Sequence, residues 1–274
     1  QKLTALRRDL HRHPELGFEE TRTKAKIASA LRALGLCVSE GVGVVGVFKC
    51  GSGNRAIALR ADMDALPISE TSAHDYSSLT PGVMHACGHD EHTTMLLGAA
   101  ELISQSQDFD VTVICVFQPN EEHGLGARAM LDDGFNEIFA PDEIYAIHNL
   151  PGAPLAEVST RIGQICASES LFEIRIIGQG GHASMPHLGV DAITVAAELV
   201  MALQTIVARK LPPGAGAVVS FTEISSDGQR NVLPGTALLK GDVRARFPQH
   251  REEIRKFIKQ ITSGLAATHD VQID

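Results

Sequence analysis

The side chains in this sequence best suited to binding a divalent cation lie in four short runs. Cys87 and His89 stand two positions apart in His85-Ala86-Cys87-Gly88-His89-Asp90. Asp62-Met63-Asp64 precedes them, and Glu121-Glu122 and His148 follow. Thiolate, imidazole and carboxylate together form the usual donor set for a borderline-soft ion such as zinc. An extended segment would point Cys87 and His89 to one side, and Gly88 lets the chain turn between them without a Cβ clash. The donors outnumber what one tetrahedral site needs, so two ions are expected. Neighbouring carboxylates repel and are tolerated where cations compensate. One of Glu121 and Glu122 can then ligate while the other takes a proton from metal-bound water, whose pKa falls to about 7.

Each residue alone has an ordinary reading. Cys87 could be a buried thiol beside a structural His. Glu121-Glu122 could be a solvated loop or a helix start, and Asp62 and Asp64 turn residues before Pro67. His148 could be a hydrogen-bonded His at a strand end. Their placement relative to the expected strands is what favours chemistry.

Helices are expected at 3–12 and 21–34, ended by Pro14 and Gly35. Strands at 42–48, 56–61, 111–117 and 143–147 then alternate with helices at 94–103 and 127–133. This rhythm implies an α/β fold, a mostly parallel sheet flanked by helices on both faces. The strand at 56–61 runs into Asp62-Met63-Asp64, that at 111–117 into Glu121-Glu122, and that at 143–147 into His148. Open α/β sheets hold ligands beyond the carboxyl ends of their strands, so these clusters should converge on one edge.

After about residue 165 the pattern changes to a strand at 170–177, a helix at 191–209, strands at 218–224 and 236–247, a helix at 251–267 and a strand opening at Val271. That β-α-β-β-α-β order is the split βαβ, ferredoxin-like α+β sandwich. Two domains are expected, 1–166 and 167–274.

The remaining composition narrows the function. With 24 basic and 33 acidic residues the net charge is −9, which argues against a nucleic-acid partner. Five cysteines without a C-x-x-C pair argue against a disulfide framework and for a reducing, cytoplasmic setting. The most apolar stretch, 192–208, carries Glu198 and Gln204, so no membrane association is expected.

The segments 10–19 (LHRHPELGFE), 59–67 (LRADMDALP), 84–90 (MHACGHD), 117–122 (FQPNEE), 147–150 (IHNL) and 180–183 (GGHA) span nearly the whole chain. Together they resemble the metal-dependent amidohydrolases and peptidases of the aminoacylase and carboxypeptidase-G-like family. The nearest subfamily is that of hippurate hydrolase and the indole-acetyl-amino-acid hydrolases. The resemblance implies a di-metal exopeptidase-like catalytic domain with an inserted ferredoxin-like lid that commonly dimerises. It implies Cys87, His89, Glu122 and His148 as ligands of two zinc or manganese ions, and Glu121 as general base. Other branches carry a His ligand where this chain has Asp62, so no ligand role passes to Asp62. Asp64 is read as orienting a ligand. In the lid, the resemblance implies that His182 reaches the scissile carbonyl, often across a dimer. Asn231 and Arg244 would hold the substrate carboxylate, Arg244 through its planar fork. Their alternatives are a turn residue before Pro234 and a surface strand charge.

The family's catalytic domain resumes after the lid and supplies a final His ligand. That segment is expected beyond Asp274, and an isolated 274-residue piece is expected to show weak or no activity. The activity implied is hydrolysis of N-acyl amino acids, hippurate-like or related small amides. The alternatives are a dipeptidase or carboxypeptidase of the same family, a non-catalytic binding or oligomerisation fragment, and a Cys87–His89 thiol hydrolase that would survive chelation.

Overall fold

A computed structural model describes residues 1–106 and 108–274. The chain divides into two units, Gln1–Leu155 and Ala156–Asp274. In unit 1, α1 (Lys2–Arg12) and α2 (Thr21–Ala33) come first. The Glu15 carboxylate in the loop between them accepts the backbone N–H groups of Arg22 and Thr23 at 2.9 and 2.8 Å. It thereby satisfies donors that the first turn of α2 leaves unpaired.

Five strands follow: β1 (Cys37–Glu40), β2 (Val44–Lys49), β3 (Ala56–Asp62), β4 (Thr112–Gln118) and β5 (Glu143–Ala146). Their order in the sheet is β1-β2-β4-β3-β5. β4 runs parallel to β3 and β3 to β5, but β1–β2 and β2–β4 are antiparallel. The sheet is therefore mixed rather than mostly parallel. The cause is the short turn Gly41-Val42-Gly43, which makes β1 and β2 a hairpin, and hairpin strands can only pair antiparallel. The short, polar β1 gave no strand signal in the sequence.

Helices α3 (His89–Gln105), α4 (Gly126–Asp132) and α5 (Phe135–Phe139) complete the unit. β4 reads as a continuous apolar run because both its faces are covered. Val113, Cys115 and Phe117 pack on one side with Ile27 and Leu31 of α2 and Leu97 of α3. Ile114 and Val116 pack on the other with Met130 of α4. The register aligns Asp62 with Gln118 and Arg60 with Ala146. Three parallel strands thus end at one edge, as their sequence neighbours require.

Unit 2 contains β6 (Ser168–Ile177), β7 (Gly181–His182), α6 (Ala192–Thr205), β8 (Ala217–Ser226), β9 (Val232–Leu233), β10 (Thr236–Ala245), α7 (Pro248–His269) and β11 (Gln272–Ile273). Its main sheet has the antiparallel order β11-β6-β10-β8. The strands and helices of this sheet follow each other as β-α-β-β-α-β. One side of α6 (Val195, Ala196, Leu199, Leu203) is buried with Ile176 and Leu239 of the sheet. With its continuation, the helical stretch Ala192–Lys210 is long and apolar enough for a membrane, but one side of α6 packs into the core of unit 2. The sequence did not suggest the small ribbon of β7 and β9.

Candidate metal centre

The first helical residue of α3 is His89, earlier than the expected start at residue 94. Gly88 precedes it at φ +89°, and an added Cβ would lie 2.4 Å from Nδ2 of Asn149. Cys87 and His89 are therefore joined by a left-handed turn, not by the extended segment expected. Only glycine takes this backbone without strain and leaves room for Asn149.

The loop after β4 brings Glu121 and Glu122 to the same edge. Asn120 adopts φ +46°, a left-handed conformation that Asn tolerates. Its backbone N–H donates to the buried Glu20 carboxylate at 2.9 Å. Gly17 lies so close that a Cβ would fall 2.1 Å from Asn120 Oδ1. The Glu122 backbone N–H donates to Asp64 Oδ2 at 3.0 Å. The turn is thus fixed from both sides.

The four expected ligands share this edge. Cys87 Sγ lies 3.4 Å from His148 Nε2, and His89 Nε2 lies 3.7 Å from Glu122 Oε1 and 3.8 Å from Glu121 Oε2. Donor atoms of Cys87, His89 and His148 all lie within 4.8 Å of one another, as do those of His89, Glu121 and Glu122. Asp64 approaches His89 Nδ1 at 3.3 Å, leaving Nε2 turned toward the other ligands. The Glu122 side chain is 17% exposed and that of Glu121 is 41% exposed, so Glu121 is the more open of the pair.

Electrostatics make the cluster costly without a cation. Burial, followed by the charge of Glu122, pushes the Cys87 thiol up to about 12. Burial and the neighbouring Glu121 raise the Glu122 carboxyl against the pull of His89. Burial opposes charge on Asp62 as well, but the hydrogen bond from His92 and the nearby His89 and Arg60 hold it below the usual carboxylate range. His89 Nε2 and Glu122 Oε1 are buried and have no hydrogen-bond partner. Buried polar atoms are normally satisfied, and facing acceptors in a thiol, imidazole and carboxylate set fit a divalent cation.

In unit 2, His182 pairs with Val232 across β7 and β9, and the Ala183 N–H donates to Asn231 O at 3.1 Å. His182 and Asn231 are therefore neighbours. His182 Nδ1 accepts from Ser184 Oγ at 2.8 Å. Arg244 lies near the far end of β10, where its guanidinium bonds Asp242 and Glu169. The structure does not bring it beside Asn231.

The sequence reading missed three residues at the edge. His92 lies three residues after His89, a spacing that puts both on one helix face, but the helix was expected only over 94–103. Its Nδ1 lies 2.6 Å from Asp62 Oδ1. Asn149 follows His148 directly and contacts His92. Glu20 falls one residue past the conspicuous 10–19 motif.

Comparison with known proteins places this edge in context. The family model described as Peptidase family M20/M25/M40 matches residues 58–271. The chain belongs to that family. Hippurate hydrolase of Campylobacter jejuni is 40% identical, over 98% of this chain and 70% of its own length. N-acetyl-L-cysteine deacetylase of Bacillus subtilis is 37% identical, over 99% of this chain and 66% of its own length. The chain thus spans about two thirds of these relatives. A solved Bacillus subtilis structure, described as a dinuclear metal binding peptidase from the M20 family, has a TM-score of 0.81 at 33% identity. It is covered over 72% of its chain, and this chain over 100%. This M20/M25/M40 member accordingly has the family's mixed α/β sheet with flanking helices, and the resemblance read from its motifs is to this family.

Proposed function

We propose that the protein hydrolyses the amide bond of N-acyl amino acids, hippurate-like or related small amides, at the edge carrying Cys87, His89, Glu122 and His148. These four residues hold two divalent ions, zinc or manganese. The observation that supports the site best is the pair of buried, unpartnered atoms, His89 Nε2 and Glu122 Oε1, turned toward each other beside Cys87 and His148.

Ions bound there supply Lewis acidity, which polarises the amide carbonyl and acidifies a water. Glu121, the more open carboxylate, takes the proton from the attacking water and delivers it to the leaving nitrogen. Asp64 orients His89 through Nδ1 and fixes the Glu122 backbone through its other oxygen. His182 donates to the carbonyl oxygen as negative charge develops. Asn231, beside His182, holds the substrate carboxylate; Arg244 lies apart from it, paired with Asp242 and Glu169, and would have to leave them to share that role. Unit 2 serves as an inserted lid and as the surface of a homodimer, with catalysis completed by the rest of the catalytic domain. The relatives named above act on N-acyl amino acids by their names, which supports this substrate class over free peptides.

The test is Glu121→Gln in full-length protein. Metal content should stay at the wild-type level while kcat falls about 10²- to 10⁴-fold. Near-normal kcat would remove Glu121 from the mechanism. Higher kcat/KM for dipeptides than for acyl-amino acids would overturn the substrate class.

A further inference from the structure

His148 lies just after the last strand of the unit 1 sheet. It follows the short edge strand β5, is itself exposed, and lies between Ile147 and Leu150, which are also exposed. Its ring meets the edge of the His92 ring, with centroids 4.4 Å apart. Its Nδ1 donates to the backbone oxygen of the next residue, Asn149, at 2.7 Å. The position of His148 therefore depends on Asn149, through this bond, and on His92, through the ring contact.

Asn149 is held by a buried pair. Its backbone N–H donates to His92 Nε2 at 3.0 Å, and His92 Nδ1 lies 2.6 Å from Asp62 Oδ1. A backbone N–H can only donate, so His92 Nε2 accepts and carries no proton. The ring proton then resides on Nδ1 and is donated to Asp62. The Asn149 side-chain oxygen lies 2.8 Å from the same Nε2. Two acceptors would oppose each other there, so we assign the amide the other way round, with its NH₂ toward Nε2 and its oxygen toward Gly88. Asp62 is itself fixed: Arg60 donates to its Oδ2 at 2.7 Å, and the Thr93 hydroxyl to its backbone oxygen at 2.8 Å. The Asn149 side chain also rests on Gly88, next to Cys87.

We propose that Asp62, His92 and Asn149 form a positioning relay that holds the His148 imidazole with Nε2 facing Cys87. His92 in this relay donates from Nδ1 to Asp62, accepts at Nε2 from the Asn149 backbone, and is not a ligand. Donor atoms of Asp62, His89 and His92 lie within 4.8 Å of one another and are all buried, so they resemble a cation site. The relay excludes that use, because both His92 nitrogens are already engaged. This inference rests on the proposed metal centre and adds His92 and Asn149 as positioning residues, since neither touches a reacting atom.

The experiment uses full-length protein, with wild-type metal uptake measured first by elemental analysis. Nitrogen-15 NMR of the histidine rings should show His92 protonated on Nδ1 and bare on Nε2, before and after zinc is added. A His92 Nε2 resonance that carries a proton, or that shifts as a ligand does when zinc binds, would overturn the relay. Metal uptake by the wild type in that case would leave the metal centre standing. His92→Ala should weaken zinc binding about 10- to 100-fold, the usual effect of removing a ligand's supporting partner. Asn149→Ala keeps the backbone contacts and should cost less. If His92→Ala fails to fold, Asp62→Asn retains an acceptor for Nδ1–H and should lower zinc affinity by a smaller factor. Unchanged zinc affinity in a folded His92→Ala or Asp62→Asn protein would overturn the relay even if turnover fell. A wild type that takes up no metal would overturn the centre and the relay together.

Discussion

The two units handle burial in opposite ways. Among the described residues, every buried polar or charged side chain lies between His11 and Asn120, all in unit 1. They include Glu20, Asp62, Asp64, His85, His89 and Asp90. The core of unit 2 is aliphatic, built from residues such as Ile176, Leu199, Leu203 and Leu239. Burying an ionisable group opposes folding unless partners or ions compensate. Unit 1 therefore carries buried ionisable groups that need partners or a cation, as Glu20, Asp62 and Asp90 find in Asn120, His92 and His11, while unit 2 is shaped by packing. Its candidate residues His182, Asn231 and Arg244 all lie on the surface.

The contrast can be broken first at the thiol. Cys87→Ala should remove metal from the centre and lower turnover by about three orders of magnitude or more, given the several kcal/mol a metal contributes to the transition state. Stability of the metal-free protein should hardly change or should rise, because a carboxylate-flanked thiol is lost. Metal content and apo-protein denaturation, measured side by side, check both halves.

A truncation in unit 2 should do the reverse. Leu199 is fully buried, and Leu199→Ala should destabilise by about 2 to 5 kcal/mol. Zinc affinity at the centre should stay unchanged at temperatures where the protein is folded. Weaker zinc binding in that variant would show that the two behaviours are not separable.

The smallest effect concerns acid stability. Burial lowers the pKa of His85 from 6.5 to about 4, and neither ring nitrogen has a hydrogen-bond partner. The folded pKa is depressed, so below pH 6.5 the unfolded chain takes up a proton that the folded chain refuses. Stability from this group is complete above about pH 6.5 and is lost as the pH falls toward 4, by on the order of 3 kcal/mol. The urea midpoint of metal-free wild type should therefore fall relative to that of His85→Gln as the pH drops through that window. A constant difference would assign the acid sensitivity to other groups.

Much of the site was legible because its residues stand directly after strands. The apolar runs at 56–61, 111–117 and 143–147 marked those strands, and each leads into a donor, so their convergence followed from the topology of a parallel core. The hairpin of β1 and β2 was not legible, since Cys37–Glu40 has neither length nor apolar alternation to mark it. His92 and Asn149 escaped for a different reason. Their roles depend on which side chain meets which across elements 57 residues apart, and no local pattern encodes that meeting.

The sequence by itself determined the kind of chemistry, because the donor types and their order along the chain are fixed by composition and spacing. It also determined the β-α-β-β-α-β pattern of unit 2, through hydrophobic periodicity. Only the tertiary structure decided which atoms face one another: that His89 starts a helix, that Gly88 turns left-handed under Asn149, and that Asp62 pairs with His92. Those outcomes arise from side-chain packing and burial at a shared sheet edge, where competing partners are selected by distance rather than by position in the chain.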